Sequence, residues 1–253
     1  NGVLLKGGGN DYTATSGTSV VLGTGATADD VIEIIVYDAF SAANFYSRTD
    51  SDSRYVRHDS GTLGTDNFIA GDNAGDAIAS GGNYNTLVGN EAGTAITTGD
   101  NNTAVGFEAL ATEDADGNNT AVGYRALKTL NAGTDADNVA VGKDAGLSVT
   151  TGIRNTLIGG RAGDALTDAD FNVAIGEQAL TSDTKGNKTT AVGQSALASQ
   201  NQTSSTDTHN TAVGHNSGLS VTTGTNNTIV GSLAGDALTT GGNNVAIGIE
   251  ALS

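Results

Sequence analysis

The chain has 253 residues, with 37 glycines, no proline, cysteine, methionine or tryptophan, and a formal net charge of −17. Leu, Ile, Val and Phe together supply only about a fifth of the residues, close to the lower limit for an ordinary globular protein. Ordering each residue costs about 1–2 kcal/mol of backbone entropy, so this composition disfavours an enzyme built around one compact core. Such a chain can fold if it repeats, because each layer then buries its small apolar face against the next.

The charge and the missing residue types exclude further classes of protein. A net charge of −17 repels the phosphates of nucleic acids, so we expect no nucleic-acid partner. No apolar run approaches the ~20 residues that cross a bilayer, so we expect no membrane insertion. A chain without cysteine has no disulfide framework and no thiolate metal site.

The first 40 residues favour a small β domain. Apolar runs at 3–5 and 19–22 are each followed by glycine-rich turns, and residues 31–37 are rich in the β-branched residues that favour strands. Residues 41–66 are polar, with aromatic and arginine side chains interleaved, and we interpret them as a connector. The opening residues are typical of the interior of a strand, so we expect the chain to belong to a longer protein.

A short motif then recurs eleven times: Asn, Thr or Val, an apolar residue, Val or Ile, and Gly, with small variations. The copies begin at residues 67, 85, 102, 119, 138, 155, 172, 189, 210, 227 and 244. We expect the Gly to turn a corner at positive φ, and the Asn to tolerate the left-handed region and to hydrogen-bond nearby backbone. The clearest predicted corner residues are Asn102, Gly106, Asn119, Gly123, Asn172, Gly176, Asn244 and Gly248.

Each unit of about 17 residues is predicted to form one coil of a parallel β-solenoid. Thr103 and Val105 share one face of a short strand and Ala104 takes the other, while Ala109 and Leu110 are predicted to form a second strand. At ~4.8 Å per layer, eleven coils reach about 50 Å. The predicted all-β organisation is a small β domain at 1–40, a connector or collar at 41–66 and a β-solenoid shaft of about eleven coils at 67–253.

The thin coil also predicts an oligomer. Its inner residues are small, and Ala104 is expected to lie on a face that packs closely against another chain. A coil that is apolar on both faces is best buried among copies of itself, and we predict a homotrimer.

A longer period lies above the short one. Residues 146–152 recur at 218–224, and residues 162–166 recur at 234–238, in both cases 72 residues later. Four coils therefore form one higher unit, which indicates duplication of a four-coil block and selection for length.

The repeat resembles two related families. Residues 119–127, Asn-Thr-Ala-Val-Gly-Tyr-Arg-Ala-Leu, are similar to the repeats of bacteriophage tail fibres. The Asn-Val-Ala-Ile-Gly copies at 172–176 and 244–248 resemble the head of trimeric autotransporter adhesins, which is a trimeric left-handed parallel β-roll. Residues 1–40 look like a small β domain of phage fibres, and residues 46–55 are similar to a fibre connector, so the resemblance covers nearly the whole chain.

The tail-fibre resemblance implies a structural role. It implies a trimeric shaft in the virion tail that assembles with other tail or baseplate proteins. Such a shaft carries, or contributes to, the binding of a bacterial cell-surface receptor, either a glycan or a protein. The alternative is the head of a bacterial surface adhesin with the same trimeric roll, located on the bacterial outer surface.

Enzymatic chemistry is a weaker hypothesis. Some β-helical spikes cleave polysaccharides with paired carboxylates, and Glu91 and Glu108 would stack on adjacent coils, with Glu177 and Glu250 assigned to the same slot. A recurring slot is typical of a solvated edge that prevents aggregation, whereas a catalytic pair is unique. We therefore expect no enzyme and no catalytic residues.

Metal binding and ice binding are two further hypotheses. Asp114, Asp116 and Gly117 have some character of a calcium loop, but the glycine is misplaced and the bidentate Glu is missing. We expect no cofactor, although calcium binding at one or more acidic turns stays open. An ice-binding solenoid would need flat Thr-x-Thr arrays, and most coils carry a single Thr after the Asn.

Departures from the 17-residue spacing are the places with room for recognition. The largest lies between Gly193 and Gly214, where four polar residues are added, and a smaller one lies at 129–137. Loops on a rigid scaffold commonly carry binding, although a tolerated neutral insertion is the other interpretation. The predicted receptor-contact loop consists of Gln200, Asn201, Gln202, Thr203 and Ser204.

Overall fold

The computed structural model describes residues 12–13, 21–22, 57–60 and 64–253. The chain divides into two compact units, Asn1–Ser47 and Arg48–Ser253. In the first unit, β1 (Tyr12–Thr13) pairs antiparallel with β2 (Val21–Leu22). The apolar run at 19–22 thus ends in a strand, whereas the apolar run at 3–5 and the strand-favouring residues 31–37 lie outside the described residues.

One long sheet organises the second unit. β3 (Arg57–Ser60) runs antiparallel to β4 (Thr65–Ala70), and from β4 onward eleven strands are parallel and paired residue for residue. After β4 these strands have three residues each: β5 (Thr86–Val88), β6 (Thr103–Val105), β7 (Thr120–Val122), β8 (Val139–Val141), β9 (Thr156–Ile158), β10 (Val173–Ile175), β12 (Thr190–Val192), β14 (Thr211–Val213), β15 (Thr228–Val230) and β16 (Val245–Ile247). The predicted parallel β-solenoid of eleven coils is confirmed, and its predicted start after residue 66 lies inside β4.

The second unit also contains a two-stranded sheet that is separate from the long one. It consists of β11 (Gly186–Asn187) and β13 (Thr206–Asp207), which pair in parallel. The part of the chain that the structure describes contains no helix, and therefore no helix long and apolar enough to cross a membrane.

Each regular coil contains one strand, so the second strand predicted at Ala109 and Leu110 is wrong. The residues after the corner Gly form turns instead, and Leu110 adopts a φ of +52° while its side chain stays fully buried. A left-handed residue reverses the chain direction, which an extended strand cannot do. This turn aims the Leu into the narrow core. We number coil positions from the Asn, so the corner Gly is position 5 and Leu110 is position 9.

The direction of the strand side chains also differs from the prediction. Ala104 points into the coil and has no exposed surface, whereas Thr103 and Val105 point outward and are half-buried. The same alternation holds in the other coils, so the small residue fills the interior. The face predicted to pack through Ala104 is therefore the core, and the outward face of the sheet carries Thr and Val.

The corner glycines lie one above another, as predicted. Their φ values lie between +121° and +140°, a region that side chains strongly disfavour. Space is a second requirement: a Cβ on Gly159 would lie 2.5 Å from the carbonyl oxygen of Gly176, in the next coil. Ten of the eleven corner glycines face the next corner in this way. The coils can stack at strand spacing only because this column lacks side chains.

The position-1 asparagines form a buried ladder beside the corner. The backbone N–H of each one donates to the side-chain Oδ1 of the Asn one coil earlier, over 2.8–3.1 Å, from Asn67 to Thr189 and again from Asn210 to Asn244. The predicted hydrogen bonding is confirmed. The predicted left-handed backbone is wrong for Asn102, because it is the preceding residue, Asn101, that has positive φ (58°).

The core balances large and small residues within each coil. Coils with Leu at position 9, such as Leu110, carry Ala at position 3. Coils with Gly at position 9 usually carry a larger residue at position 3. In one of them, a Cβ on Gly163 would lie 2.8 Å from the side chains of both Leu157, at position 3, and Leu166, at position 12. Because interiors tolerate little overpacking, the choice of Leu or Gly at position 9 depends on what the neighbouring positions hold.

We predict that Gly159→Ala destabilises the chain by about 3 kcal/mol or more, since it combines a strained positive φ with an overlap on the Gly176 carbonyl. The adjacent Gly160 is the matched control, because its added Cβ would meet its nearest atom, Cγ of Glu177, only at 4.0 Å. Gly160→Ala should stay within about 0.5 kcal/mol of the parent. Urea unfolding measures both, and equal midpoints for the two variants would contradict the corner assignment.

Candidate functional site

The outward side of the long parallel sheet is a surface without charged side chains. It is formed by positions 2 and 4 of each coil, which hold Thr, Val, Ile, one Phe and one Ala, and we call it the Thr/Val face. At ~4.8 Å per strand, its eleven strands extend about 50 Å. Its apolar members are substantially exposed, as shown by Val141 at 36% and Ile158 at 37%. On a chain of net charge −17, this is a long surface that a second negative chain can approach.

Aromatic residues flank this face in its first half. Phe107 and Tyr124, both at position 6 of adjacent coils, stack with ring centroids 5.5 Å apart and an interplanar angle of 13°. The guanidinium of Arg125 covers Tyr124 at 4.8 Å from the ring centroid. A cation–π contact is worth about 0.5–1 kcal/mol at an exposed site. The Phe107–Tyr124 stack joins two adjacent coils, whereas Arg125 and Tyr124 belong to the same coil.

Charge is distributed in bands along the shaft. Residues 64–124 and 189–253 contain no Lys or Arg, and all the Lys and Arg residues after residue 64 lie between 125 and 188. There they pair mainly with acids of neighbouring coils, as in Lys128–Glu108 at 2.6 Å and Arg125–Asp144 at 2.8 Å. Exposed pairs contribute little individually. Their consequence is that the basic side chains are largely occupied by the protein's own carboxylates.

The longest coil replaces the apolar core residue with a buried polar network. At position 12, where most coils place Ile, Leu or Val, this coil (189–209) has Gln200, and the coil before it (172–188) has Asp183. Gln200 Nε2 donates to Asp183 Oδ2 at 2.6 Å, and Asp183 Oδ1 accepts from the backbone N–H of Gly186 and of Gln202. The acid therefore holds the backbone of its own coil and of the added segment.

The same network supplies hydrogen bonds where the Asn ladder is interrupted at Thr189. The eighth copy of the motif starts with Thr189, whose hydroxyl cannot replace the amide. Gln200 compensates, because its Nε2 donates to Thr189 Oγ1 and its Oε1 accepts from Asn210 Nδ2 at 2.8 Å. Thr208, from the added segment, shares a 2.6 Å hydrogen bond with Thr189. The added residues are thus partly structural, which explains why a ladder break and a long coil occur together.

The predicted receptor-contact loop is divided by this arrangement. Gln200 has no exposed surface and Gln202 is 6% exposed, so neither side chain can reach a large ligand. Asn201, Thr203 and Ser204 are exposed. Only these three remain available for contact, and they lie beside the small β11/β13 sheet.

The acids considered for catalysis occupy turns. Glu91, Glu108 and Glu250 are all at position 7 with positive φ between 52° and 58°. Glu177 follows its corner Gly directly and occupies position 6, so assigning it to the slot of Glu250 was wrong by one residue. Glu108 is held by Lys128.

The two aspartates of the acidic turn considered for calcium differ in exposure. Asp114 is exposed, whereas Asp116 is 4% exposed. Within residues 64–253 and the shorter described stretches, no group of three His, Asp or Glu side chains is placed to hold a metal ion. Calcium at the acidic turns remains a prediction.

Glu113 and Asp183 are two acids without exposed surface that the sequence analysis did not single out. Each replaces the apolar residue at position 12, and each belongs to the coil that precedes a longer one. Aligning the coils on their Gly would have shown this signal, because Ile96, Leu130 and Leu166 mark position 12 as a core position.

A comparison with family models, with curated proteins and with solved structures finds no match to this chain. The geometry and the repeat therefore carry the functional argument.

We predict that Gln200→Ala destabilises the shaft by about 2–4 kcal/mol, because it leaves the buried Asp183 carboxylate without its side-chain donor. Thr203→Ala, three residues along and exposed, is the control and should change stability by less than about 0.5 kcal/mol. Chemical denaturation monitored by circular dichroism compares the two. A neutral Gln200→Ala would mean that the network does not hold the long coil.

Proposed function

We propose that the chain is a shaft segment of a bacteriophage tail fibre. In this proposal three copies form a fibre in the virion tail, joined to other tail or baseplate proteins, and contribute to binding a bacterial cell-surface receptor. The observation that supports it best is the Thr/Val face, an uncharged surface about 50 Å long on a chain of net charge −17. The other support is the resemblance of the repeat to tail-fibre repeats.

The Thr/Val face supplies a physical reason for self-association. Two copies of a polyanion repel each other, and contact through a surface without charge avoids close pairs of like charges; positions 2 and 4 provide such a surface in every coil. Burial of apolar area contributes about 25 cal/mol per Å², and exposed Val141 and Ile158 supply it at regular spacing. Because the strands are parallel and in register, parallel copies present the same row of side chains along the whole axis.

Threefold association is the form that we propose. Three copies around one axis bury the face of each against the other two and leave the charged turns outside. The trimeric families that the repeat resembles support this number. Catalysis has no part in the proposal.

The head of a bacterial surface adhesin is the second candidate. The strands β10 and β16 carry the Asn-Val-Ala-Ile-Gly form that resembles adhesin heads, and the same trimeric arrangement would serve both functions. Antibodies against the shaft distinguish them: labelling of purified phage particles supports the tail fibre, and labelling of the surface of bacteria free of phage supports the adhesin.

We predict that Val141→Glu converts the trimer to monomers, because it places three carboxylates where the three Thr/Val faces meet. Thr151→Glu lies in the same coil on an exposed turn, adds the same charge and should leave the trimer intact. Light scattering coupled to size exclusion should give about three times the chain mass of 25.1 kDa for the parent and for Thr151→Glu. A parent that is a folded monomer would contradict the proposal.

For receptor binding, we predict that replacing Asn201, Thr203 and Ser204 together by Ala reduces adsorption of the trimer to host cells by about tenfold or more, without changing its melting temperature. Three symmetric copies amplify the loss of a weak contact. The control replaces Thr222 and Thr223, on the turn of another coil, by Ala. Equal adsorption of all three proteins would mean that recognition lies elsewhere and that this segment is a spacer.

A further inference from the structure

Glu113 is a carboxylic acid in the apolar core of the shaft. It occupies position 12, between Ile96 in the preceding coil and Leu130 in the following one, and has no exposed surface. Its Oε1 accepts a 3.0 Å hydrogen bond from the backbone N–H of Asp116, and its Oε2 has no hydrogen-bond partner. Half of this carboxyl group is therefore buried without any donor, which is costly for a charged carboxylate.

Asp183 shows what a satisfied acid at this position requires. It lies at position 12 of the equivalent coil in the next four-coil block, and three donors reach its two oxygens, from Gly186, Gln200 and Gln202. Glu113 has one donor, and the coil that follows it places Leu130 where the other block has Gln200. The two blocks share an architecture but differ in how the buried acid is neutralised.

The charged groups around Glu113 do not compensate a negative charge. On its own coil lie Asp114, which is exposed, and Asp116. From the preceding coil, the carboxylate of Asp100 accepts the backbone N–H of Asn83. From the following coil come Asp135 and Lys128, and Lys128 pairs with Glu108. Among the described residues, no basic side chain forms an ion pair with Glu113.

Glu113 is connected to the longer loop of the next coil. It holds the backbone of Asp116, and the Asp116 carboxylate accepts the backbone N–H of Gly133. In the reverse direction, Asp135 accepts the N–H of Gly117 at 3.2 Å. This pair of links fixes the 131–137 segment, which departs from the regular coil spacing, to the turn that contains Glu113.

We propose that Glu113 is a proton-operated latch. When protonated, it stays in the core and keeps the 113–117 turn and the 131–137 segment docked; when ionised, it leaves the core and releases that segment while the rest of the shaft stays folded. The latch goes beyond the proposed function, because it needs neither a receptor nor a phage.

The direction of the pH dependence follows from burial. Burial is the largest cause that raises the pKa of Glu113 from 4.5 to about 8; the negative charge of Asp116 acts in the same direction, and the backbone N–H groups of Asp116 and Asp114 act in the opposite direction. The folded chain therefore binds this proton more tightly than the unfolded chain does. The stability gained is complete below pH 4.5, declines as the pH rises and is lost above about pH 8.

The experiment compares the full chain with Glu113→Gln, which keeps the neutral form at every pH, and with Asp114→Asn, which removes an exposed acid from the same turn. Between pH 6 and pH 9 the melting temperature of the parent should fall by about 5 °C or more. The melting temperature of Asp114→Asn should fall by the same amount, and that of Glu113→Gln should fall much less. Amide exchange of the 131–137 peptide, corrected for intrinsic rates, should lose protection at pH 9 in the parent and keep it in Glu113→Gln.

A titration of the parent chain keeps the proposal testable if Glu113→Gln does not fold. The chain contains six glutamates, so ¹³C-glutamate labelling gives six carboxyl signals. One signal should titrate near pH 8, together with the amide signals of 131–137. Titration of all six below pH 6 would overturn the proposal, as would a pH slope in Glu113→Gln equal to that of the parent.

Discussion

Close stacking of backbone at the corner glycines is the constraint on which the rest of the shaft depends. Each corner carbonyl lies where a Cβ of the previous corner would be, and this contact sets the coils at hydrogen-bonding distance. Beside it, the Asn ladder satisfies buried backbone N–H groups that a turn would otherwise leave unpaired. The corner contact and the ladder together hold the strands in register along the stack.

That constraint leaves little interior space, and the polar exceptions follow from it. A coil this narrow holds Ala at position 3 with Leu at position 9, or larger residues around a Gly. An acid at position 12 is tolerated only where donors surround it, as for Asp183, or where it stays neutral, as we propose for Glu113. Asp183 accepts directly from the backbone of the longer coil that follows it, and Glu113 is linked to its longer neighbour through Asp116. Irregular coils are thus accommodated by buried hydrogen bonds that the regular coils do not need.

The sequence predicted the solenoid, its eleven coils and the glycine corner, because a period of 17 with invariant Gly has few other physical solutions. It did not predict the turn at Ala109 and Leu110, since Ala-Leu favours regular structure locally and only the closure of a narrow coil forces Leu110 to positive φ. The alternation of side chains correctly predicted that Thr103 and Val105 share one face, but it did not predict which face of the strand lies inside the coil. For Gln200, polarity suggested exposure; its burial depends on Thr189 eleven residues earlier, a contact that local sequence does not encode.

We propose that copies of the chain meet through the Thr/Val face along a fibre axis. The chain has no cysteine, so one spin label can be introduced at a chosen position, at Val122→Cys on the face or at Thr151→Cys outside it. Pulsed dipolar spectroscopy on each protein measures the distance between labels of different copies. Contact through the Thr/Val face predicts a single short distance between labels for Val122→Cys and a longer one for Thr151→Cys. No dipolar coupling at Val122→Cys, or a shorter distance at Thr151→Cys, would contradict it.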